Sequence, residues 1–177
     1  NILKLVDGSI RLTHDKGSSV HEGIFTTFRV LLFSYITDFY GDIYYTEALK
    51  GREGILYPKY DHQSDIYTGL LAELDQANNL IVSGTEPLSS TYDLMFGGDK
   101  VKWQKFTNSL KLRLLMRASE KMPDAGAKMA AIISNPAATP IFTEADENAA
   151  IPFIGTTEEN SWQGGTLNWA EDEEFDK

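Results

Sequence analysis

The sequence DLMFGGDKVKWQKFTNSLKLRLLMR, at residues 93–117, decides the fold of this chain. Gly97 and Gly98 indicate a turn, and Asp99 can accept hydrogen bonds from the first free N–H groups of a helix that follows. At 100° per residue, the main apolar face holds Trp103, Phe106, Leu110 and Leu114. The opposite side adds Leu112, Leu115 and Met116. A helix that is apolar on more than one side predicts an interior position.

Two arginines lie on or beside the main apolar face of this helix. Arg117 projects between Phe106 and Leu110, and Arg113 lies at the edge. A guanidinium there must extend its head to water or pair with a carboxylate. We therefore predict an interior network between these arginines and one or more of three acids: Asp38, Asp42 and Glu47.

Upstream, residues 20–39 predict a second core helix, preceded by a helical pattern in residues 1–16. The predicted apolar face of the 20–39 helix is Phe25, Phe28, Leu32, Tyr35, Ile36 and Phe39. Residues 64–81 predict a third helix, capped by Asp61 or Ser64. Its predicted core face is Ile66, Leu70, Leu74, Ala77 and Ile81.

Pro123 and Asp124 predict the start of a short helix, and Asn135-Pro136 its end. The sequence thus predicts an all-α fold with two helical pairs, the first from residues 20 and 64 and the second from residues 99 and 125. Beyond residue 136, prolines and glycines predict a loop-rich part with short extended pieces at 140–142 and 151–153.

Charge divides the chain into a helical core segment, 1–142, and an acidic loop-rich segment of the same domain, 143–177. The formal net charge of −10 separates into −1 for the first segment and −9 for the second. With a pI near 4.7, the chain lacks the basic surface expected of a nucleic-acid-binding protein. We interpret the acids at 171–174 as a solvated run, because the EF-hand spacing is absent.

Motifs of catalysis are missing from the sequence. There is no G-x-S-x-G, P-loop, G-x-G-x-x-G or H-E-x-x-H sequence. His14, His21 and His62 have no second ligand in register, and the chain contains no cysteine, so we predict no metal, no cofactor and no catalytic residue. A glycosidase-type carboxylate pair stays open, since any two of 26 acids could meet in space.

The best candidates for ligand contact lie in the acidic segment. Trp162 and Trp169 could stack on sugar rings, and side-chain amides beside them could bind hydroxyls. The amides are those of Asn160, Gln163 and Asn168. The alternative, that both tryptophans pack on the helices, stays open.

Three blocks of sequence resemble the SusD/RagB family of Bacteroidetes surface lipoproteins. The first contains GD at 98–99, KW at 102–103, KF at 105–106, NSLKLR at 108–113 and Arg117. The second is TDFYGDIYYTEAL at 37–49, in which Tyr44 stands where the family usually has proline. The third contains PKYD at 58–61, Gln63 and IY at 66–67. The residues carrying the motif are Asp38, Gly41, Asp42, Glu47, Asp99, Trp103, Phe106, Asn108, Arg113 and Arg117.

This resemblance implies more than the residues alone predict. It implies a tetratricopeptide-like helical scaffold, no catalysis, and an anchor lipid on a cysteine outside this segment. It also implies a surface position on the outer membrane, where the protein passes oligosaccharides, or peptides in the RagB branch, to a TonB-dependent SusC-like transporter. Family members are longer, so we expect this chain to be an internal fragment. The competing hypotheses are a helical glycoside hydrolase and a protein-interaction scaffold without a small ligand.

Overall fold

The computed structural model describes residues 2–151, and five α-helices form this part of the chain. They are α1 (Ile2–Asp15), α2 (Ser19–Tyr40), α3 (Gln63–Ser83), α4 (Lys100–Ala118) and α5 (Ala125–Ile133), with 3-10 turns at Lys50–Glu53 and Ala145–Glu147. Residues 2–151 contain no strand, only a β-bridge between Ile43 and Asp61. The predicted all-α class is confirmed. None of these helices is long and apolar enough to cross a membrane.

Each helix packs on the next one along the chain. The most extensive contact joins α2 to α3, and α4 lies against α3, α5 and part of α2. Both predicted helical pairs are therefore present. The predicted core face of α3 is also correct: Ile66, Leu70, Leu74, Ala77 and Ile81 are all fully buried.

The buried face of α2 differs from the predicted one. Phe39 is 83% exposed and Tyr35 is half-exposed, although both were expected in the core. The face that is buried instead carries Gly23, Thr27, Val30, Phe33, Ser34 and Thr37. A Cβ atom on Gly23 would lie 2.7 Å from the carbonyl oxygen of Ala77, so small residues let α2 approach the α3 backbone closely. The buried side of α2 is therefore the side whose small residues allow a close approach to α3, and not the side with the largest apolar side chains.

The start of α4 agrees with the prediction from the sequence. Gly97 and Gly98 both adopt positive φ, which glycine tolerates without strain. The Asp99 carboxylate then accepts hydrogen bonds from the N–H groups of Val101 and Lys102, at 2.8 and 3.1 Å. Asp99 is therefore the N-cap of α4.

The prediction that α4 lies in the interior is correct for one face of the helix only. Trp103, Leu110, Leu114 and Leu115 are buried, whereas Met116 and Arg117 are exposed in the last turn. Phe106 is half-buried and packs among Phe28, Phe96 and Phe142. The C-terminal turn of α4 therefore lies at the surface, so the guanidinium of Arg117 is in contact with water and not inside the core.

Side chains from distant parts of the sequence close two helix ends. Glu86 accepts hydrogen bonds from the N–H of Val20 and from the hydroxyl of Ser18 at the start of α2. The Lys100 ammonium donates to the carbonyl oxygens of Gly84 and Val82, at 2.6 and 3.2 Å, at the end of α3. These groups would otherwise be unsatisfied, because a helix leaves its terminal N–H and C=O groups without internal partners.

The chain from Pro140 to Glu147, which leads into the acidic segment, is fixed to the helices. Asn108 of α4 donates to the carbonyl oxygen of Pro140 at 3.1 Å, and the Ser109 hydroxyl accepts from the N–H of Phe142 at 2.9 Å. Lys105 forms an ion pair with Glu147. Asn108, one of the motif residues, thus serves to hold the chain that follows α5.

Candidate functional site

The turn after α2 is built by residues of the second sequence block. Gly41 ends the helix with φ of +73°, and its N–H donates to the carbonyl of Thr37 at 2.8 Å. The Thr37 hydroxyl donates in turn to the carbonyl of Gly41 at 2.7 Å. Asp61 then donates its N–H to the carbonyl of Ile43 at 2.9 Å. The turn therefore places the chain of 42–48 beside that of 58–62.

The Asp42 carboxylate caps α3, although Asp42 lies 21 residues before Gln63, the first residue of that helix. Its Oδ1 accepts from the N–H of Gln63 at 2.9 Å, and its Oδ2 lies 2.9 Å from Nδ1 of His62. The bond from Gln63, followed by the bond from His62, lowers the pKa of Asp42. The hydrogen bond and the charge of Asp42 raise the pKa of His62. Asp42 is therefore engaged at the helix end and pairs with no arginine.

Asp61 does not cap α3, contrary to one of the two predicted alternatives. Its carboxylate accepts from the N–H groups of Tyr45 and Thr46, at 3.2 and 2.7 Å, and from the Thr46 hydroxyl at 2.8 Å. Burial alone raises the pKa of Asp61, but the bonds from Thr46 outweigh it and lower the pKa. Ser64 lies inside the first turn, so it is not the N-cap either. Local spacing could not reveal that the cap comes from Asp42.

Exposed tyrosines line a groove at this turn with a volume of about 530 Å³. Tyr40 is 79% exposed, Tyr60 64% and Tyr44 42%. The rings of Tyr44 and Tyr60 have centroids 4.2 Å apart and are tilted by 41°. Phe33 and Ile43 form part of the apolar floor. Flat aromatic faces beside polar hydroxyls and the Asp42 carboxylate can contact both faces and edges of a sugar ring.

A second groove, of about 660 Å³, borders the same end of α2. It contains the predicted ion pair: Nη2 of Arg117 lies 3.0 Å from Oδ2 of Asp38. The pair is not interior as expected, because the Arg117 side chain is 48% exposed while that of Asp38 is 12% exposed. The Tyr67 hydroxyl donates to Oδ1 of Asp38 at 2.5 Å.

The remaining members of the predicted arginine network lie apart. Arg113 is exposed, and its guanidinium lies 5.5 Å from the centroid of the Tyr35 ring. Among residues 2–151 it forms no ion pair. Glu47 accepts from the N–H of Lys59 at 3.0 Å. The prediction that Arg113 or Arg117 pairs with one of the three acids is therefore confirmed by Arg117 and Asp38, whereas the expected interior network does not extend beyond this pair.

The sequence analysis missed a partly buried ion pair between Arg29 of α2 and Glu73 of α3. The Tyr45 hydroxyl donates to Oε1 of Glu73 at 2.5 Å, and the Arg29 guanidinium lies 4.9 Å from the centroid of the Phe33 ring. Burial lowers the pKa of Arg29, but the charge and the hydrogen bond of Glu73, together with the smaller effects of Tyr45 and Asp7, outweigh it, so the pKa is raised. An arginine and a glutamate among the apolar residues of two adjacent helices were the signal that could have predicted this pair.

Several predicted residues lie outside the described part of the chain. These are the proposed ligand contacts Asn160, Trp162, Gln163, Asn168 and Trp169, the acidic run at 171–174, and most of the extended piece at 151–153. Within residues 2–151, no group of three or more His, Asp and Glu side chains could hold a metal ion. His14 lies 3.1 Å from Glu22 and His21 lies 2.9 Å from the hydroxyl of Ser18.

Comparisons with known proteins give the context of these grooves. The sequence profile of a SusD-like family described as "Starch-binding associating with outer membrane" matches residues 1–174. A search of the curated proteins found no match.

Solved structures of SusD-like proteins share the fold. A chitin-binding protein is 32% identical, with a TM-score of 0.70 over 83% of this chain and 30% of its own. A SusD-like protein of Bacteroidetes is 30% identical, with a TM-score of 0.72 over 92% of this chain and 29% of its own. A SusD homologue from Bacteroides uniformis is 27% identical, with a TM-score of 0.74 over 87% and 31%. The chain thus spans about 30% of the length of these structures, and the predicted SusD-like helical architecture is confirmed.

Proposed function

Because the chain belongs to the SusD-like family of starch-binding proteins associated with the outer membrane, we propose that it contributes a glycan-binding surface to a non-catalytic nutrient-capture protein. In this proposal the whole protein is a surface lipoprotein that delivers oligosaccharides to a TonB-dependent SusC-like transporter. Its lipid anchor lies outside the chain described here.

The observation in this chain that carries the proposal is the exposed tyrosine pair. The ring centroids of Tyr44 and Tyr60 lie 4.2 Å apart, and both residues line the groove that Tyr40 also lines. The apolar C–H face of a sugar stacks on such rings, while their hydroxyls bind sugar hydroxyls. Tyr44 is the residue that departs from the proline of the family pattern, so it adds an aromatic ring beside Tyr60 at a position where the family usually has none.

The position of the groove supports a binding role for the turn after α2. Hydrogen bonds of Gly41, Asp42 and Asp61 fix the backbone that carries Tyr40, Tyr44 and Tyr60 without help from a ligand. A preformed site loses less conformational entropy on binding than a flexible one. The tryptophans at 162 and 169, with the amides of Asn160, Gln163 and Asn168, remain proposed as additional contacts.

The first test is a glycan and peptide array with the purified protein, followed by calorimetry and a product assay on each hit. The panel includes starch and chitin oligosaccharides, since the family is described as starch-binding and one similar structure is a chitin-binding protein. Binding of an oligosaccharide without turnover is the expected result. Turnover would contradict the non-catalytic role, and binding of peptides alone would favour a RagB-type function.

Variants then locate the site. Tyr44→Ala and Tyr60→Ala should each weaken glycan binding about tenfold, as loss of a central aromatic contact does. Tyr92→Ala is the control, because Tyr92 is also exposed but lines a different groove. Unchanged affinity in the first two variants, in proteins with unchanged melting temperatures, would exclude the tyrosine groove as the site.

A further inference from the structure

The groove beside the tyrosine groove is polar and carries charge. It runs between the start of α3 and the end of α4, and its lining includes Gln63, Ser64, Tyr67, Thr68, Arg117 and Lys121. Asp38 lines this groove and Tyr40 lines the tyrosine groove. The two grooves therefore lie at the same end of α2.

Arg117 is held in place before any ligand arrives. The largely buried Asp38 carboxylate accepts from Nη2 of Arg117 and, on its other oxygen, from the Tyr67 hydroxyl. Burial and the bond to Asp38 raise the pKa of Tyr67 to about 12, so its hydroxyl stays protonated and keeps donating. A guanidinium has five N–H donors. One of them is engaged by Asp38, and the exposed half of the side chain offers others to the groove.

The charge of the groove is positive in spite of Asp38. Its charged lining consists of Arg117, Lys121 and Asp38, which leaves a formal charge of +1. Lys121 is exposed and has no ion-pair partner within residues 2–151. In contrast, Lys105 and Lys111 of α4 pair with Glu147 and Asp75. A lone ammonium next to an oriented guanidinium is a suitable arrangement for an anionic group.

We propose that this groove binds the carboxylate or sulfate group of an acidic oligosaccharide. Arg117 supplies a planar pair of donors for the anion, and Lys121 supplies a second charge. Ser64 and Thr68 supply hydroxyls at the edge of the same groove. The inference rests on the proposed function and names its substrate class.

The test compares matched glycans that differ only in charge. One pair is an oligogalacturonide and its methyl ester of the same length, and another is a sulfated galactan oligosaccharide and its desulfated form, which carries no carboxylate. Calorimetry with the purified protein should give about tenfold tighter binding of the charged member of at least one pair, as expected for one charged hydrogen bond. The preference should decrease as sodium chloride is raised, because salt screens exposed charges.

Variants assign the preference to the groove. Lys121→Gln and Arg117→Gln should each reduce the difference between the charged and neutral glycans to within about threefold, since each removes one charge-assisted contact. Lys4→Gln is the matched control, because Lys4 is an exposed lysine on α1 that does not line this groove. Lys121→Gln is decisive if Arg117→Gln lowers stability, since Lys121 makes no described ion pair.

The outcomes separate this inference from the proposed function. Neutral glycans that bind as well as their charged partners, in wild type and variants alike, would overturn the anion site and leave glycan binding intact. A charge preference that Lys4→Gln reduces as much as Lys121→Gln does would also overturn it, since the effect would then be one of net charge. Failure of every glycan to bind would overturn both.

Discussion

Nε1 of the Trp103 indole lies 2.7 Å from Oδ2 of Asp93, and this bond connects the core to the turn that precedes α4. The same carboxylate accepts from the N–H groups of Met95, Phe96 and Gly98. Burial raises the pKa of Asp93, but the bonds from Phe96, Gly98 and Trp103 outweigh it and lower the pKa. One tryptophan therefore supports both hydrophobic packing and turn geometry.

Trp103→Ala should destabilise the protein by about 3–5 kcal/mol, the usual cost of removing a large buried aromatic side chain. Trp103→Phe keeps much of the ring volume but removes the N–H donor, so its cost should be nearer 2 kcal/mol, the size of a hydrogen bond to a charged group. Urea unfolding measures both. Equal losses in the two variants would show that the bond to Asp93, and not packing, dominates.

Gly23→Ala should destabilise the protein by about 1–3 kcal/mol, because the added Cβ overpacks the contact between α2 and α3. That atom would lie 2.7 Å from the carbonyl oxygen of Ala77 and 2.8 Å from Cγ1 of Ile81. Gly8→Ala on α1 is the control, since its Cβ would meet nothing within 4 Å. There the helix propensity of alanine should instead stabilise by up to about 1 kcal/mol. Stabilisation by both changes would disprove the close approach.

Glu73→Ala should destabilise the protein by up to about 3 kcal/mol, the lower end of the cost for a buried pair, because it leaves the partly buried Arg29 without its partner. Replacing both residues, as Arg29→Met with Glu73→Leu, should recover most of this loss, since an apolar pair of similar volume avoids the desolvation of two charges. Chemical denaturation of the two single variants and the double variant gives the coupling. Additive losses would mean that the pair does not interact in the folded protein.

The stabilising effect of His62 should depend on pH. Because Asp42 raises the pKa of His62 above 6.5, the contribution of His62 is complete below pH 6.5 and is lost as the pH rises through the raised pKa. The pKa of Asp42 is lowered below 3.8, so its contribution is complete above pH 3.8 and is lost only at more acidic pH. His62→Gln retains a neutral donor and should lower the melting temperature more at pH 5 than at pH 8. An equal decrease at both values would contradict the pair.

The sequence predicts the helices and the core face of α3 because large apolar residues repeat there at the helical period. It fails for α2, where the buried side carries Gly23, Thr27 and Ser34, and hydrophobicity alone favours the aromatic side. A close contact between two helices needs small residues. In the sequence, a face of small and polar residues looks the same whether it packs on another helix or faces water. Long-range polar contacts, such as Arg29 with Glu73, were missed because spacing along one helix says nothing about partners on another.

The tyrosine groove was missed for a related reason. Tyr44 and Tyr60 are 16 positions apart and belong to separate sequence blocks, and they meet through tertiary contacts such as the β-bridge between Ile43 and Asp61 and the bonds from Tyr45 and Thr46 to Asp61. The charged groove was partly predicted, since Asp38 and Arg117 were named as partners. Its surface position was not, because a helical projection does not show where a helix leaves the core.

Because Asp42 caps α3, local unfolding at the start of α3 is coupled to local unfolding at the end of α2. The Gln63 side chain donates to the carbonyl oxygen of Thr37 in the last turn of α2 at 2.7 Å, and the turn after α2 accepts hydrogen bonds from Gln63 at Asp42 and from Asp61 at Ile43. Neither end can fray without breaking bonds of the other. Amide hydrogen exchange at Gln63 and Asp61 should therefore report one common opening free energy, whereas independent fraying would give two. The surface that carries the tyrosines is then rigid as a cooperative unit, and it would be lost only when the α2–α3 hairpin opens as a whole.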